Sequence, residues 1–197
     1  MAKSVQPSII LASTSVFRRS LMDRLGLGYE TYAPVIDESR LDGEDAGTMV
    51  KRLAELKARA ARDVFPGALI IGSDQAAVIN SEILGKPGSH DRAVRQLKAA
   101  SGQRVSFVTG LCLLNSQSGA TQCEVVPFHV YFKALTSGEI EHYLKIEQPY
   151  NCAGSFKSEG LGVALFERME GDDPTALIGL PLIALCRMLN TEGVSVL

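Results

Sequence analysis

Ala68-Leu69-Ile70-Ile71-Gly72-Ser73-Asp74-Gln75 sets four apolar residues directly before four that are small or polar. The apolar part is continuous rather than alternating, which suits a strand covered by other elements on both faces. That pattern predicts an α/β fold. The apolar run ends in Asp74, and open α/β sheets take up ligands at the carboxyl ends of their strands. Two roles for Asp74 stand open here. It caps the following turn, or it serves as a carboxylate that holds a hard divalent cation or takes a proton from water.

Outward from this stretch the same grammar repeats. Ile9-Ile10-Leu11 is a second short apolar run, followed by Ala12-Ser13-Thr14-Ser15 and by Leu21, Met22 and Leu25 at helical spacing, with Gly26 as a stop. This reads as strand, serine-rich turn and helix. Residues 29–36 look extended and lead into Asp37-Glu38. A helix over 48–63 follows from its Leu, Ala, Lys, Arg and Glu content, and another over 91–100. Residues 104–114 and 121–132 predict a β-hairpin about Asn115-Ser116-Gln117-Ser118-Gly119. Thr136 and Glu139 form a capping box for a helix to about residue 146. A strand over 163–168, a turn at Gly171-Asp172-Asp173-Pro174 and a buried helix over 180–189 complete the chain. The expected architecture is α/β with a mixed sheet flanked by helices, residues 1–197 forming one domain.

Composition narrows the function. The chain has 197 residues, 46% hydrophobic and 21% charged, as globular domains do. Twenty Lys and Arg against 22 Asp and Glu leave a net charge of −2. No basic excess is present to neutralise a phosphate backbone, so no stable nucleic-acid partner is expected. No apolar run approaches the roughly 20 residues of a membrane span. Met1 to Ser8 is too short and polar for a signal peptide. Cys112, Cys123, Cys152 and Cys186 are far apart, as are His90, His129 and His142, which predicts neither a disulfide framework nor a Cys/His zinc site. A cytoplasmic, membrane-free protein is expected.

Several charged groups sit where charge is costly. Ser13 or Ser15 is a good N-cap. Arg18 and Arg19 then fall in the first turn, where each opposes the helix dipole by about 0.3–1 kcal/mol. Either both are solvated, or an anion binds there and reverses that sign through free N–H groups, hydroxyls and guanidinium forks. Lys57 shares a helical face with Val50, Leu53, Ala54 and Ala61. It snorkels, or it reaches into a site of carboxylates and phosphates. Lys86, in the Gly85-Lys86-Pro87-Gly88 turn, is a second fixed cation with the same two readings. Gly160 and Gly162 lack the third glycine of a dinucleotide fingerprint. Their loop, which displays Lys157 and Glu159, suits contact with a polar ligand instead.

In this order along the chain, the pieces resemble the Maf (septum-formation-inhibitor-like) nucleotide pyrophosphatases. The resemblance is carried by Leu11-Ala12-Ser13-Thr14-Ser15 with Arg18-Arg19, Asp37-Glu38, Leu53-Ala54 with Lys57, and Ile71-Gly72-Ser73-Asp74-Gln75. It continues through Gly85-Lys86-Pro87, Thr109-Gly110, Ala153-Gly154-Ser155 and Gly179-Leu180-Pro181. Asp74-Gln75 and the run from Cys152 to Gly160 are most similar to the branch acting on 7-methyl-GTP. The pyrimidine branch typically has threonine after the aspartate and glutamine where Glu159 stands. Val16 replaces the family's usual proline, and Phe17 replaces the tryptophan of this branch, keeping an aromatic face.

The resemblance implies an elongated α/β fold, its mixed sheet flanked by helices, with a cleft between two lobes, commonly a homodimer, and a divalent-cation requirement (Mg, Mn or Co). The implied reaction is hydrolysis of 7-methyl-GTP at the α–β bond to 7-methyl-GMP and pyrophosphate. Arg18, Lys57, Lys86 and Asp74 are then the catalytic set, with Glu38 and Asp74 on the metal. Ser13, Phe17, Arg19, Gln75 and Glu159 are the substrate contacts. The alternatives are a pyrophosphatase for dTTP, UTP or CTP, and a non-catalytic cell-division regulator.

Overall fold

The computed structural model describes residues 7–197, so the reading of the N-terminal segment as no signal peptide lies, through Gln6, outside the described residues. The elements are β1 (Ile9–Ala12), α1 (Val16–Asp23), β2 (Glu30–Tyr32), α2 (Ala46–Ala60), β3 (Leu69–Ile79), β4 (Glu82–Leu84) and α3 (His90–Ala100). They continue with β5 (Arg104–Asn115), β6 (Thr121–Phe132), α4 (Ser137–Glu147), β7 (Phe166–Glu170), α5 (Pro174–Ile178) and α6 (Leu182–Thr191). Among the described residues, seven strands form one mixed sheet in the order β2-β1-β3-β5-β6-β7, with β4 also on β3. β1 runs parallel to β2 and β3, and the remaining pairs are antiparallel.

The fold has the α/β class that the first apolar run predicts. On β3 the period-two alternation splits the side chains between two cores. Ile70 packs with Ile10, Ala12, Ala54, Ala58 and Leu114 beneath α2. Leu69, Ile71, Ala77 and Ile79 face the opposite core with Leu21, Leu97, Phe107 and Leu185. Thus α2 covers one face of the sheet, while α1, α3, α4, α5 and α6 contribute to the core of the other.

Two glycines let α2 lie in backbone contact with the sheet. A Cβ at Gly72 would stand 2.0 Å from Ala54 O, and one at Gly110 2.2 Å from Val50 O. Those approaches are below any van der Waals contact. Glycine at both positions therefore sets the height of the helix that carries Lys57.

Several boundaries differ from the sequence reading. The extended segment shortens to β2 because residues 33–45 pair with no strand. α2 begins at Ala46, two residues early, where Asp45 accepts the Thr48 amide. Residues 163–165 form a 3-10 turn, so β7 starts only at Phe166. α5 fills the stretch between the expected turn at 171–174 and the expected helix over 180–189. The cysteine expectation also changes, since the β5–β6 register sets Cys112 opposite Cys123 and the two form a disulfide. The hairpin shortens the separation that sequence distance suggests. No helix among the described residues is long and apolar enough to cross a membrane.

Candidate functional site

The site begins where β1 ends. β1 pairs with β3 as far as Ile71, and β4 takes up the same edge from Ala77. Between them, residues 72–76 ladder with β5 alone. This gap in the sheet opens a cleft of about 670 Å³. One correction follows. Asp74 does not terminate its strand, because β3 runs on to Ile79. The carboxyl-end rule is met by β1, whose chain turns at Ser13 into α1 beside the uncovered stretch of β3.

Polar residues persist inside β3 because each finds a partner. Ser73 Oγ lies 2.9 Å from both Gly110 O and Gly179 O. Gln75 Nε2 donates to Ala176 O at 2.7 Å, Leu177 O at 3.1 Å and Thr109 Oγ1 at 3.0 Å. Asp74, on the α2 face, accepts Lys57 Nζ at its Oδ1, 2.6 Å away. The same Nζ stands 2.8 Å from Glu38 Oε1. Lys57 does not snorkel, being only 7% exposed. Its hydrogen bond holds Glu38 below the ordinary carboxylate range, helped by the charges of Lys57, Lys86 and Arg18.

Arg18 and Ser13 form the opposite wall. Ser15 is the N-cap of α1, accepting the Arg18 amide. Ser13 is thereby left to the cleft, where its Oγ accepts Ser15 N at 3.1 Å and Arg18 Nη1 at 3.5 Å. Arg18 Nε donates to Gly179 O at 2.8 Å. Burial lowers the Arg18 pKa, while the charges of Asp74 and Glu38 act to raise it. Phe17, Lys86 and Glu159 also line the cleft, whose charged lining is three cations (Arg18, Lys57, Lys86) and three carboxylates (Glu38, Asp74, Glu159).

Three groups singled out in the sequence are elsewhere. Arg19 is exposed and is not in the cleft wall, because one step along α1 turns it away from Arg18. Lys157 is also outside the lining. Its Nζ donates to Glu147 O at 2.8 Å, so the end of α4 captures it. Asp37 is exposed and accepts the Ser39 amide at 2.8 Å, leaving Glu38 as the member of the acidic pair that reaches the cleft.

The structure adds residues that sequence reasoning passed over. α5 presents carbonyls to Gln75 and Thr109, and its C-cap Gly179 presents one to Ser73 and Arg18. Its signal was present as Asp-Pro at the start and glycine at the end, the usual asymmetry of a helix. Arg52, on α2, grips Glu44 through two bonds of 2.6 and 2.7 Å and donates to Ser39 O. That clamp fastens the loop bearing Glu38 to the helix bearing Lys57. Phe107 and Phe156 meet edge to face at 5.0 Å between centroids, and both line the cleft.

The donor set decides what metal would fit. Among the described residues, no group of three His, Cys, Asp or Glu side chains comes together as a metal cage. Glu38 and Asp74 alone converge, on Lys57. Two carboxylates suit a hard cation that takes its other ligands from water and substrate phosphates, as Mg²⁺ usually does.

The Maf-like protein family model matches residues 8–192. A 7-methyl-GTP pyrophosphatase of Alcanivorax borkumensis is 57% identical over 188 residues, 95% of each chain. That of Nitrosococcus oceani is 54% identical, covering 97% of this chain and 96% of its own. That of Pseudoalteromonas translucida is 53% identical over 96% of this chain and 94% of its own.

Proposed function

The chain belongs to the Maf-like protein family, and on that premise we propose that it is a nucleoside triphosphate pyrophosphatase that hydrolyses 7-methyl-GTP to 7-methyl-GMP and pyrophosphate. The observation carrying the proposal is Lys57 Nζ held between Glu38 and Asp74, facing Arg18 and the open start of α1 across one cleft. The names of relatives more than half identical over nearly their whole length support the same substrate.

A triphosphate carries about four negative charges, which repel a water nucleophile until cations offset them. Arg18, Lys57 and Lys86 are the fixed cations for this, and Ser13 and the α1 amides add donors. Asp74 Oδ1 is taken by Lys57, while Oδ2 accepts no hydrogen bond among the described residues. That oxygen is the base. It accepts the proton of the attacking water as the new P–O bond forms at the α-phosphorus, and the bond to the bridging oxygen breaks to release pyrophosphate. Glu38 and Asp74 would hold a divalent cation, Mg, Mn or Co, which when bound supplies further positive charge against the phosphates; because Lys57 takes Oδ1, Asp74 is not fully committed to both the ion and the proton at once, and Glu38 is the carboxylate with no second duty. Lys57 keeps the two carboxylates together before substrate arrives.

The base end rests on Phe17, Glu159 and Gln75. The Gln75 amide nitrogen is committed to α5, which leaves its Oε1 as an acceptor. Acceptors at Gln75 and Glu159 suit the N–H donors of guanine, and Phe17 offers a face to the cationic methylated ring. The cytoplasmic nucleotide pool as the place of action and a homodimer as the working unit complete the reading, on the resemblance to the family. Pyrophosphate release from a panel of 7-methyl-GTP, GTP, UTP, CTP and dTTP tests it. Faster turnover of UTP or dTTP would move the chain to the pyrimidine branch, and no release from any nucleotide would leave only a regulator.

A further inference from the structure

Asp173 lies outside the cleft and is 3% exposed. A buried carboxylate is costly unless every lone pair that faces the protein finds a donor. Here both oxygens are used. Oδ1 accepts Thr175 N at 3.0 Å and Thr175 Oγ1 at 2.5 Å, within the first turn of α5. Oδ2 accepts Ile183 N at 2.8 Å, within the first turn of α6. Thr175 Oγ1 in turn accepts Leu182 N at 2.8 Å. One side chain thus satisfies the start of two successive helices, and it fixes the reversal of chain between them.

α5 and the reversal that follows it are what touch the site. Ala176 O and Leu177 O take Gln75 Nε2, Ala176 O also takes Thr109 Oγ1, and Gly179 O takes Arg18 Nε with Ser73 Oγ beside it. Side chains on three different elements are therefore oriented by the carbonyls of one five-residue helix and its C-cap, Gly179. A helix that short has no stability of its own and holds its place only through tertiary contacts. We propose that Asp173 is a positioning residue of the active site, setting the carbonyls of α5 that aim Gln75 at the base and the carbonyl of its C-cap, Gly179, that aims Arg18 at the phosphates.

The inference rests on the phosphate-binding reading of Arg18, and a double-mutant cycle keeps the two apart. Pyrophosphate, which has no base, is the probe, bound to the full chain and followed by calorimetry. Asp173→Asn keeps one acceptor but turns an amide N–H₂ toward Thr175 or Ile183. In the otherwise unchanged protein it is expected to weaken pyrophosphate about tenfold, within the usual coupling of groups in one hydrogen-bond network. In an Arg18→Ala background the same change is expected to cost less than about twofold, because no guanidinium remains to be aimed. Equal effects in both backgrounds, or a lowered Tm with unchanged affinity, would overturn the positioning role. Unchanged affinity in Arg18→Ala alone would instead overturn the phosphate reading. Where Asp173→Asn fails to fold, Thr175→Val removes only the Oγ1 link and carries the same cycle with the same outcomes.

Discussion

Lys57 Nζ stands 2.6 Å from Asp74 Oδ1, a contact made across the gap between a helix and the middle of a strand. Asp74→Asn retains an oxygen for Lys57 and loses the capacity to take a proton. Turnover is expected to fall by about 10²–10⁴-fold, the span of general base catalysis. The circular dichroism spectrum and Tm should stay close to those of the unchanged protein. Pyrophosphate release at saturating 7-methyl-GTP measures the first expectation, and a rate within a few-fold of the original would remove Asp74 from the chemistry. EDTA should stop the reaction of the unchanged protein and added Mg²⁺ or Mn²⁺ restore it.

The distance between Lys57 and Asp74 depends on a residue with no side chain. In Gly72→Ala, the new Cβ would sit 2.0 Å from Ala54 O and 2.8 Å from Ala58 N, both backbone atoms of α2. Neither can rotate away, so the helix must rise. Overpacking of this kind costs about 1–3 kcal/mol, and each kcal/mol lowers Tm by about 2–4 °C in a chain of this size. Activity should fall further than the loss of folded protein explains, since Lys57 rises with its helix. A Tm loss with full activity per folded molecule would mean that α2 height and the site are uncoupled.

What the sequence discloses divides along a physical line. Ile70 and Ile71 announce a strand covered on both faces, and the 104–132 hairpin and the Thr136–Glu139 box are local patterns that the fold keeps. Lys57 on an apolar face was legible as an anomaly, and the fold resolves it with two carboxylates. Most of the differences are matters of long-range pairing. Whether β3 stops at Asp74 depends on β5 lying beside it, whether Lys157 is free depends on Glu147, and Cys112 meets Cys123 only through register. Arg19 fails for a smaller reason: neighbours on a helix are separated by about 100°.

Acid should reach the site through the clamp that holds the Glu38 loop. Hydrogen bonding from Arg52, aided by the Leu41 amide, lowers the Glu44 carboxyl to about 2 from an ordinary 4.5. Between those values the unfolded chain binds the proton more readily than the folded one. The stability that Glu44 contributes is therefore complete above about pH 4.5, and it is lost as pH falls through about 2. Glu44→Gln should flatten the acid limb of a Tm-against-pH curve in that window and lower activity at neutral pH by loosening the Glu38 loop. Arg52→Ala should destabilise more, because it leaves a nearly buried carboxylate without its partner. An unchanged acid limb in Glu44→Gln would show that the clamp adds nothing to folding.

Base choice is the prediction that the cleft makes most sharply. Gln75 is anchored through its amide nitrogen, whose two hydrogens are shared among Ala176 O, Leu177 O and Thr109 Oγ1, so its Oε1 is a fixed acceptor, whereas Glu159 is exposed on a loop and, among the described residues, accepts from Ser158 Oγ at 3.0 Å. A charged acceptor at 159 complements both the N–H edge of guanine and the positive charge of its methylated ring. An amide there keeps an oxygen but forfeits the charge and the second acceptor. Charge-assisted bonds are worth about 1.5–3 kcal/mol against 0.5–1.5 for neutral ones. Glu159→Gln should therefore lower kcat/KM for 7-methyl-GTP by about tenfold, the factor that 1.4 kcal/mol represents. UTP, which has neither the cation nor the guanine edge, should change little, so the ratio between the two nucleotides narrows. Phe17→Trp should hold that ratio or widen it, because a larger face strengthens the cation–π contact. Measuring kcat/KM for both nucleotides in all three proteins decides the matter. Equal losses on 7-methyl-GTP and UTP in Glu159→Gln would place residue 159 outside base recognition, with the phosphate chemistry of Arg18, Lys57 and Asp74 untouched by that result.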